Sequence, residues 1–454
     1  MTKHTRRTVR RWAAIGSAAA LGLTGCASSG DIAADGSTVI TYWMWDSNQM
    51  PGYRQCADDF QERNPGIEIR IEQYGWDDYW TQLTATMVAE SAPDVFVDHT
   101  SQFGKFASLG QILDLSGYLD ESDLDLGQYQ EGLVELWAGP DGESQYGLPK
   151  DWDTEAIFYN AEMVEAAGYS PEDLWELEWN PEDGGTFEDF LAAMTIDENG
   201  VRGDEEGFDP RDVATYGLGY NEAGGGYGQV QWSPFALSNG WDYSDENPWG
   251  TSFRYDEEEF LEAVSWWRSL IEKGYMPPLA QATSGVGTQE SLGAGAYATV
   301  IEGSWNALAF SELGGVDAQV APTPIGPEGQ RASVFNGLSD AVWSGTPHPD
   351  EAWLWVEYLA STECQDVMAE TGRIFPAITT SSDRALETFD GLGIDARAFS
   401  VHVEDGTTAL TPVTDQWAQL QTIMTPAMDA VMAFDAEPES LRDANARVNR
   451  LFDE

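Results

Sequence analysis

From Thr38 onward the apolar positions change period every ten to fifteen residues. Thr38 to Trp45 is β-branched and aromatic and predicts a strand. Tyr53 to Arg63 carries helical spacing, closed by Asn64-Pro65-Gly66, and Ile67, Ile69 and Ile71 then alternate as a strand does. The same succession predicts a helix over Tyr79 to Glu90, a short buried strand over Asp94 to Val97, and a helix over Gln102 to Leu109. Helices between successive strands imply parallel pairing, right-handed crossovers and an α/β fold, with ligands beyond the strands' carboxyl ends. The middle of the chain is more helical. Thr186 is placed to cap a helix whose Phe187, Phe190, Leu191 and Met194 share one face, and further helices are expected over Glu257 to Ile271 and Ser291 to Ala296. Ala298 to Glu302 reads as a strand. Ala352, Trp355, Val356, Leu359 and Ala360, then Leu441, Ala444, Val448, Leu451 and Phe452, follow helical spacing and close the chain. No 20–50-residue repeat is present, which argues against a solenoid or propeller.

The N-terminal segment has a different character. Lys3, Arg6, Arg7, Arg10 and Arg11 precede an Ala/Gly/Leu-rich run from Ala13 to Leu23 that is too short to span a bilayer, so residues 1–25 read as an export signal. Thr5-Arg6-Arg7-Thr8-Val9 fits twin-arginine export, and a basic cluster of this kind also opens ordinary secretory signals. Leu23-Thr24-Gly25-Cys26 resembles the bacterial lipobox, which makes the Cys26 thiol the expected lipid attachment point and residues 26–37 a flexible tether. That places the chain on the outer face of a bacterial membrane. The formal net charge of −56 excludes nucleic acid as a partner, because no basic cluster survives removal of the signal to reverse the sign locally. Cys56 and Cys364 are the remaining cysteines; an oxidising exterior invites their pairing, and two buried free thiols are the alternative.

Catalytic signatures are absent: no G-x-S-x-G, H-E-x-x-H, phosphate loop or dinucleotide fingerprint occurs, and histidine stands only at His4, His99, His348 and His402. A glycosidase needs only two carboxylates, so 78 acidic residues keep that class open. The acidic stretch from Asp197 to Asp209 could wrap calcium, but its spacing departs from the EF-hand order and a solvated loop fits it better. The excess lies in tryptophan, 19 of them, several beside turn residues: Trp45-Asp46, Trp152-Asp153, Trp232-Ser233-Pro234 and Gly303-Ser304-Trp305-Asn306. The apolar face of a pyranose stacks on an indole while its hydroxyls need carboxylate, amide or guanidinium partners, so an aromatic beside Asp or Asn suits carbohydrate.

Taken together, several segments resemble one family. Thr41-Tyr42-Trp43, Pro93-Asp94-Val95-Phe96, Tyr146-Gly147-Leu148-Pro149, Phe158-Tyr159-Asn160, Thr215-Tyr216-Gly217, Glu302-Gly303-Ser304-Trp305 and Leu359-Ala360-Ser361 are similar to landmarks of the extracellular solute-binding proteins of carbohydrate ABC importers, the group that includes maltose-binding protein. The resemblance covers the mature chain and implies a two-lobed periplasmic-binding-protein-like fold of type II, closing by hinge motion over a sugar. It implies no catalysis, cofactor or metal, a monomer, a permease partner, and a lipid-anchored Gram-positive setting. By position it puts residues 38–148 and 332–369 in one lobe and 149–331 and 370–454 in the other, with crossings near Pro149, between Pro322 and Arg331, and near Glu370 to Arg373. Cys56 and Cys364 then share a lobe, where pairing is geometrically reasonable. The implied ligand contacts are Trp45, Asp46, Asp98, Ser101, Gln102, Trp152, Asp153, Trp232, Trp305, Asn336, Gly337 and Arg373. The rival readings are a lipid-anchored glycoside hydrolase and a binding protein for a non-sugar solute.

Overall fold

The computed structural model describes residues 33, 36–221 and 226–453; the export segment, Cys26 and most of the tether lie outside them. Strand β1 (Thr38–Met44) is covered on both faces, which is why its sequence runs apolar without clean alternation. Helix α1 (Met50–Arg63) starts with Pro51 in its first turn, buries Tyr53, Cys56, Ala57 and Phe60, and ends where the Asn64 N–H donates to the Phe60 carbonyl. Strand β2 (Ile67–Gln73) follows. Helix α2 (Trp76–Val88) begins three residues earlier than its apolar spacing predicts, because extended Gly75 is the N-cap and Asp77 and Asp78 occupy the first turn, where the helix dipole favours carboxylates. Strand β3 (Val95–His99) and helix α3 (Thr100–Ser108) are contiguous.

Twelve strands form two sheets among the described residues. The first has the order β11-β4-β10-β3-β1-β2, with β12 also beside β10; β1 pairs parallel with β2 and β3, while β10 (Ser333–Val342) runs antiparallel to β3 and to β4 (Gly147–Asp153). The second has the order β6-β7-β8-β5-β9, built from β5 (Glu155–Asn160), β6 (Ile196–Asp197), β7 (Val213–Gly219), β8 (Tyr297–Gly303) and β9 (Ala318–Pro322). The chain is therefore a two-lobed α/β protein.

Sheet membership locates the passages between lobes. Strand β4 pairs with β10 as far as Asp153, and Glu155 already pairs in the second sheet, so the chain crosses at Thr154, beyond the expected Pro149. It returns between Pro322 and Ser333. The expected third crossing at Glu370 to Arg373 comes too early: β11 (Phe375–Pro376) pairs with β4, Phe375 stacks on Trp152 at 4.3 Å, and helix Thr379–Gly391 packs on β11. Only the next helix, Arg397–Glu404, lies against β5 and β9. Strand β12 (Thr408–Leu410) touches β10 before Trp417 enters the second lobe's core.

Local differences have local causes. Thr186 is not a cap; glycine in left-handed conformation at position 184 precedes helix Gly185–Met194, and the Thr186 hydroxyl accepts the Glu178 N–H at 2.8 Å. Asp197 spends its carboxylate on the backbone N–H groups of Asn199, Val201 and Asp209, and no cluster able to hold a metal ion occurs among the described residues, so the calcium loop is not formed. Cys56 on α1 and Cys364 on helix Thr362–Ala369 form a disulfide. No helix among the described residues is long and apolar enough to cross a membrane.

Candidate functional site

A cavity of about 440 Å³ opens between the two sheets, beyond the carboxyl ends of β1, β3 and β4, where an open α/β sheet places its ligands. Trp45 and Asp46 enter it because β1 has just ended, and Trp76 and Asp77 because α2 starts there. Asp151, Trp152 and Asp153 come from the end of β4, and Asn336 and Leu338 from β10. The second lobe supplies Ser304 and Trp305, past the end of β8, together with Gln229. Trp45 and Trp76 meet edge to face at 5.1 Å, and both pack on Trp80, so this aromatic wall is held by its own contacts. Trp305, half-buried, faces it from the other lobe, its ring lying on Gly303.

The polar part of the cavity is dominated by carboxylates. Asp153 accepts from Gln229 Nε2 at 2.5 Å and from Asn336 Nδ2 at 3.1 Å, a pairing that ties the second lobe to β4 and β10. Burial pushes its carboxyl well above the usual range, and Glu155 and Asp151 add to the shift. Burial likewise raises Asp151 to about 7, opposed by the Lys150 ammonium and helped by Asp340 and Asp46. Asp46 is raised by burial against the opposing N–H of Asn48 and the side chain of Gln49. His99 sits between Trp76 and Tyr227, and burial lowers it to about 4, so it is neutral. Its Nδ1 accepts the Ser101 N–H at 3.1 Å, which places the proton on Nε2.

Six of the twelve expected contacts line the cavity: Trp45, Asp46, Trp152, Asp153, Trp305 and Asn336. Trp152 does so without an available ring face, since its indole packs on Phe335 and Phe375 and its Nε1 donates to Ser382. Asp98 is fully buried on the opposite side of β3 from His99, as the two-residue period demands, and accepts the His99 N–H. Ser101 orients His99 through its hydroxyl at 2.9 Å and does not reach the cavity; Gln102 does not line it either. Gly337 faces Leu133 and the Asp151 carbonyl, between two β10 residues that face the cavity. Trp232 belongs to the second core, edge-on to Phe260 at 5.0 Å. Arg373 acts on Asp46 by charge, while its neighbour Ile374 forms the wall. Trp76, Asp77, His99, Asp151, Gln229 and Ser304 are contacts that the sequence reading lacked, and of these Trp76-Asp77 repeats the Trp-Asp pairing already noted twice.

Comparison with known proteins agrees with this architecture. A family model described as bacterial extracellular solute-binding protein matches residues 55–389. A putative binding protein of Brucella abortus is 24% identical over 98% of this chain and 99% of its own length. The maltodextrin-binding protein of Bacillus subtilis is 25% identical over 81% of this chain and 80% of its own. Among solved structures, an ABC substrate-binding protein from Listeria monocytogenes in complex with cycloalternan superposes with a TM-score of 0.76 at 19% identity, covering 91% of this chain and 99% of that one.

Proposed function

The chain belongs to the family of bacterial extracellular solute-binding proteins, and we propose that it captures a mono- or oligosaccharide outside the cell and delivers it to the permease of an ABC importer. Members of this family bind solutes and are not enzymes. The observation that carries the carbohydrate reading is the opposition of Trp305 from one lobe to Trp45 and Trp76 from the other across a cavity whose remaining wall is carboxylate and amide. Two indole walls sandwich the apolar faces of a sugar ring, and the groups between them hydrogen-bond its hydroxyls. The maltodextrin-binding relative supports the same reading. Export, lipidation at Cys26 and residence on the outer membrane face of a Gram-positive cell complete the proposal; the lipobox-like Leu23-Thr24-Gly25-Cys26 supports the anchor.

A thermal-shift panel of sugars, oligosaccharides, polyols and peptides tests the function. Binding only the folded state raises the melting temperature with ligand concentration. A shift with a saccharide and none with peptides or polyols is expected. Stabilisation by a peptide or polyol alone overturns the carbohydrate reading, and turnover of a glycoside in the same assay overturns the receptor reading.

A further inference from the structure

The hydrogen-bonding inventory of the cavity is lopsided. A neutral sugar hydroxyl donates one hydrogen and accepts in return, so a cavity built for neutral sugars matches acceptors with donors. Here four carboxylates, Asp46, Asp77, Asp151 and Asp153, face the cavity. The amide donors that could balance them are already spent: Gln229 and Asn336 donate to Asp153, and Gln49 to Asp46. Lys150, next to Asp151 in sequence, donates instead to Asp340 at 3.1 Å and Tyr42 at 2.7 Å and lies over the Tyr53 ring. No ion pair reaches any of the four carboxylates among the described residues. Two polar groups are left facing inward. One is the His99 Nε2–H, 3.4 Å from an Asn336 nitrogen that is itself a donor. The other is the Ser304 hydroxyl, 1% exposed as a residue and without a hydrogen-bond partner among the described residues.

We propose that the ligand is an amino sugar, a saccharide whose protonated amine sits among these carboxylates while its ring is held between Trp305 and the Trp45–Trp76 wall. The inference rests on the carbohydrate reading of the cavity. An ammonium brings three donors and no acceptor, the complement of a site rich in acceptors. Its charge offsets the crowding of carboxylates that a neutral ligand would leave in place, since like charges gathered in a desolvated site repel. The indole faces that stack on the pyranose also attract a cation. Ser304 Oγ and the His99 Nε2–H then serve the ring hydroxyls. The net charge of −56 draws cations toward the cleft from a distance, an effect that salt screens.

Calorimetry decides the matter with matched probes: glucosamine, galactosamine and mannosamine, each against its N-acetyl derivative and parent hexose, the β-1,4-linked glucosamine disaccharide against its diacetyl form, and spermidine as a non-sugar amine. At least one amino sugar is expected to bind about 10-fold or more tightly than both neutral counterparts, the size of one charge-assisted hydrogen bond, with the preference shrinking as salt is added. Asp151→Asn and Asp77→Asn should each reduce the ratio of amine to N-acetyl affinity. Asp77 begins a helix and is exposed, so its variant keeps the test valid if the buried Asp151 variant fails to fold. A neutral sugar binding as tightly as its amine counterpart overturns the amine while leaving the carbohydrate function intact. Spermidine binding with no sugar binding overturns both. Absence of binding by every amine probe at millimolar concentration, or an unchanged ratio in the folded variants, overturns the amine.

Discussion

Gly303→Ala should weaken ligand binding without removing any group that touches the ligand. Gly303 ends β8, pairs with Glu155, and has φ −85° and ψ 162°, so alanine fits its backbone. The space its side chain would need is taken: a Cβ there would lie 1.8 Å from Cζ3 of Trp305 and 2.2 Å from Cε3 and Cη2. Carbon atoms in contact sit about 3.5–4.0 Å apart, so the indole must retreat by roughly 1.5–2 Å. Since Gly303 lies behind the ring, the retreat is into the cavity, where the stacked sugar would be. Loss of a stacking anchor costs about 2–4 kcal/mol, a roughly 30- to 1,000-fold rise in Kd. Calorimetry with the saccharide that stabilises the protein most measures it. Trp305→Ala alone should show a comparable loss, and the double variant should bind no more weakly than Trp305→Ala, because the added methyl acts only through the ring. Wild-type affinity in Gly303→Ala, or additive losses in the double variant, would refute the assignment of Trp305 as the second lobe's stacking face.

Three further outcomes follow from other parts of the molecule. Cys26→Ser should release the protein into the medium on cell fractionation; retention with the membrane would sink the anchor. The Cys56–Cys364 disulfide spans 308 residues, so loop-closure entropy gives it about 5 kcal/mol at most, and reduction should lower the melting temperature; two freely alkylated thiols in the denatured, unreduced protein, seen by mass spectrometry, would contradict the pairing. Glu155 and Asp151 are raised by burial to about 8 and about 7, so the folded state holds protons that the unfolded state has already lost. The stability they supply is full below the ordinary carboxylate range and lost as pH rises through those values, so the melting temperature should fall between about pH 6 and about pH 9, and Glu155→Gln should flatten that fall; an unchanged slope in the variant would show that other groups set it.

The fold was legible where one face of an element meets solvent or where a breaker stands at its end. Asn64-Pro65-Gly66 closes α1 where its sequence says it must, and Ile67 and Ile69 are buried in alternation. The passages between lobes were less legible because they depend on pairing that local sequence does not encode. Pro149 looked like a break, yet β4 runs through it at a register irregularity opposite Leu338 and Ser339. The two-residue strand β11 carries no periodicity at all, and only the stacking of Phe375 on Trp152 returns residues 370–391 to the first lobe.

The site was legible as a chemistry and less so as a register. Four Trp-Asp pairs occur, at 45–46, 76–77, 152–153 and 241–242, and three of them line the cavity. The pairing works at the end of an element because backbone alternation sends neighbouring side chains opposite ways: Trp152 goes into the first core and Asp153 into the cavity. The fourth pair fails as a site marker because Trp241 sits inside the second core against Phe260 and Tyr243. The pair at Trp76 was missed because apolar helical spacing begins only at Tyr79, and the earlier start is set by extended Gly75 and by the acids behind it. The errors at Asp98 and Gly337 share one origin. Strands β3 and β10 are buried on both faces, so their sequences lack the alternation that tells inside from outside, and a slip of one residue exchanges the two faces. A local signal does exist on β3. His99 is at once the last strand residue and the N-cap of α3, and a side chain that must turn back to accept the Ser101 N–H is carried to the strand's carboxyl end, where the cleft opens. Caps at strand-to-helix junctions therefore locate cleft residues in a doubly buried sheet where periodicity cannot.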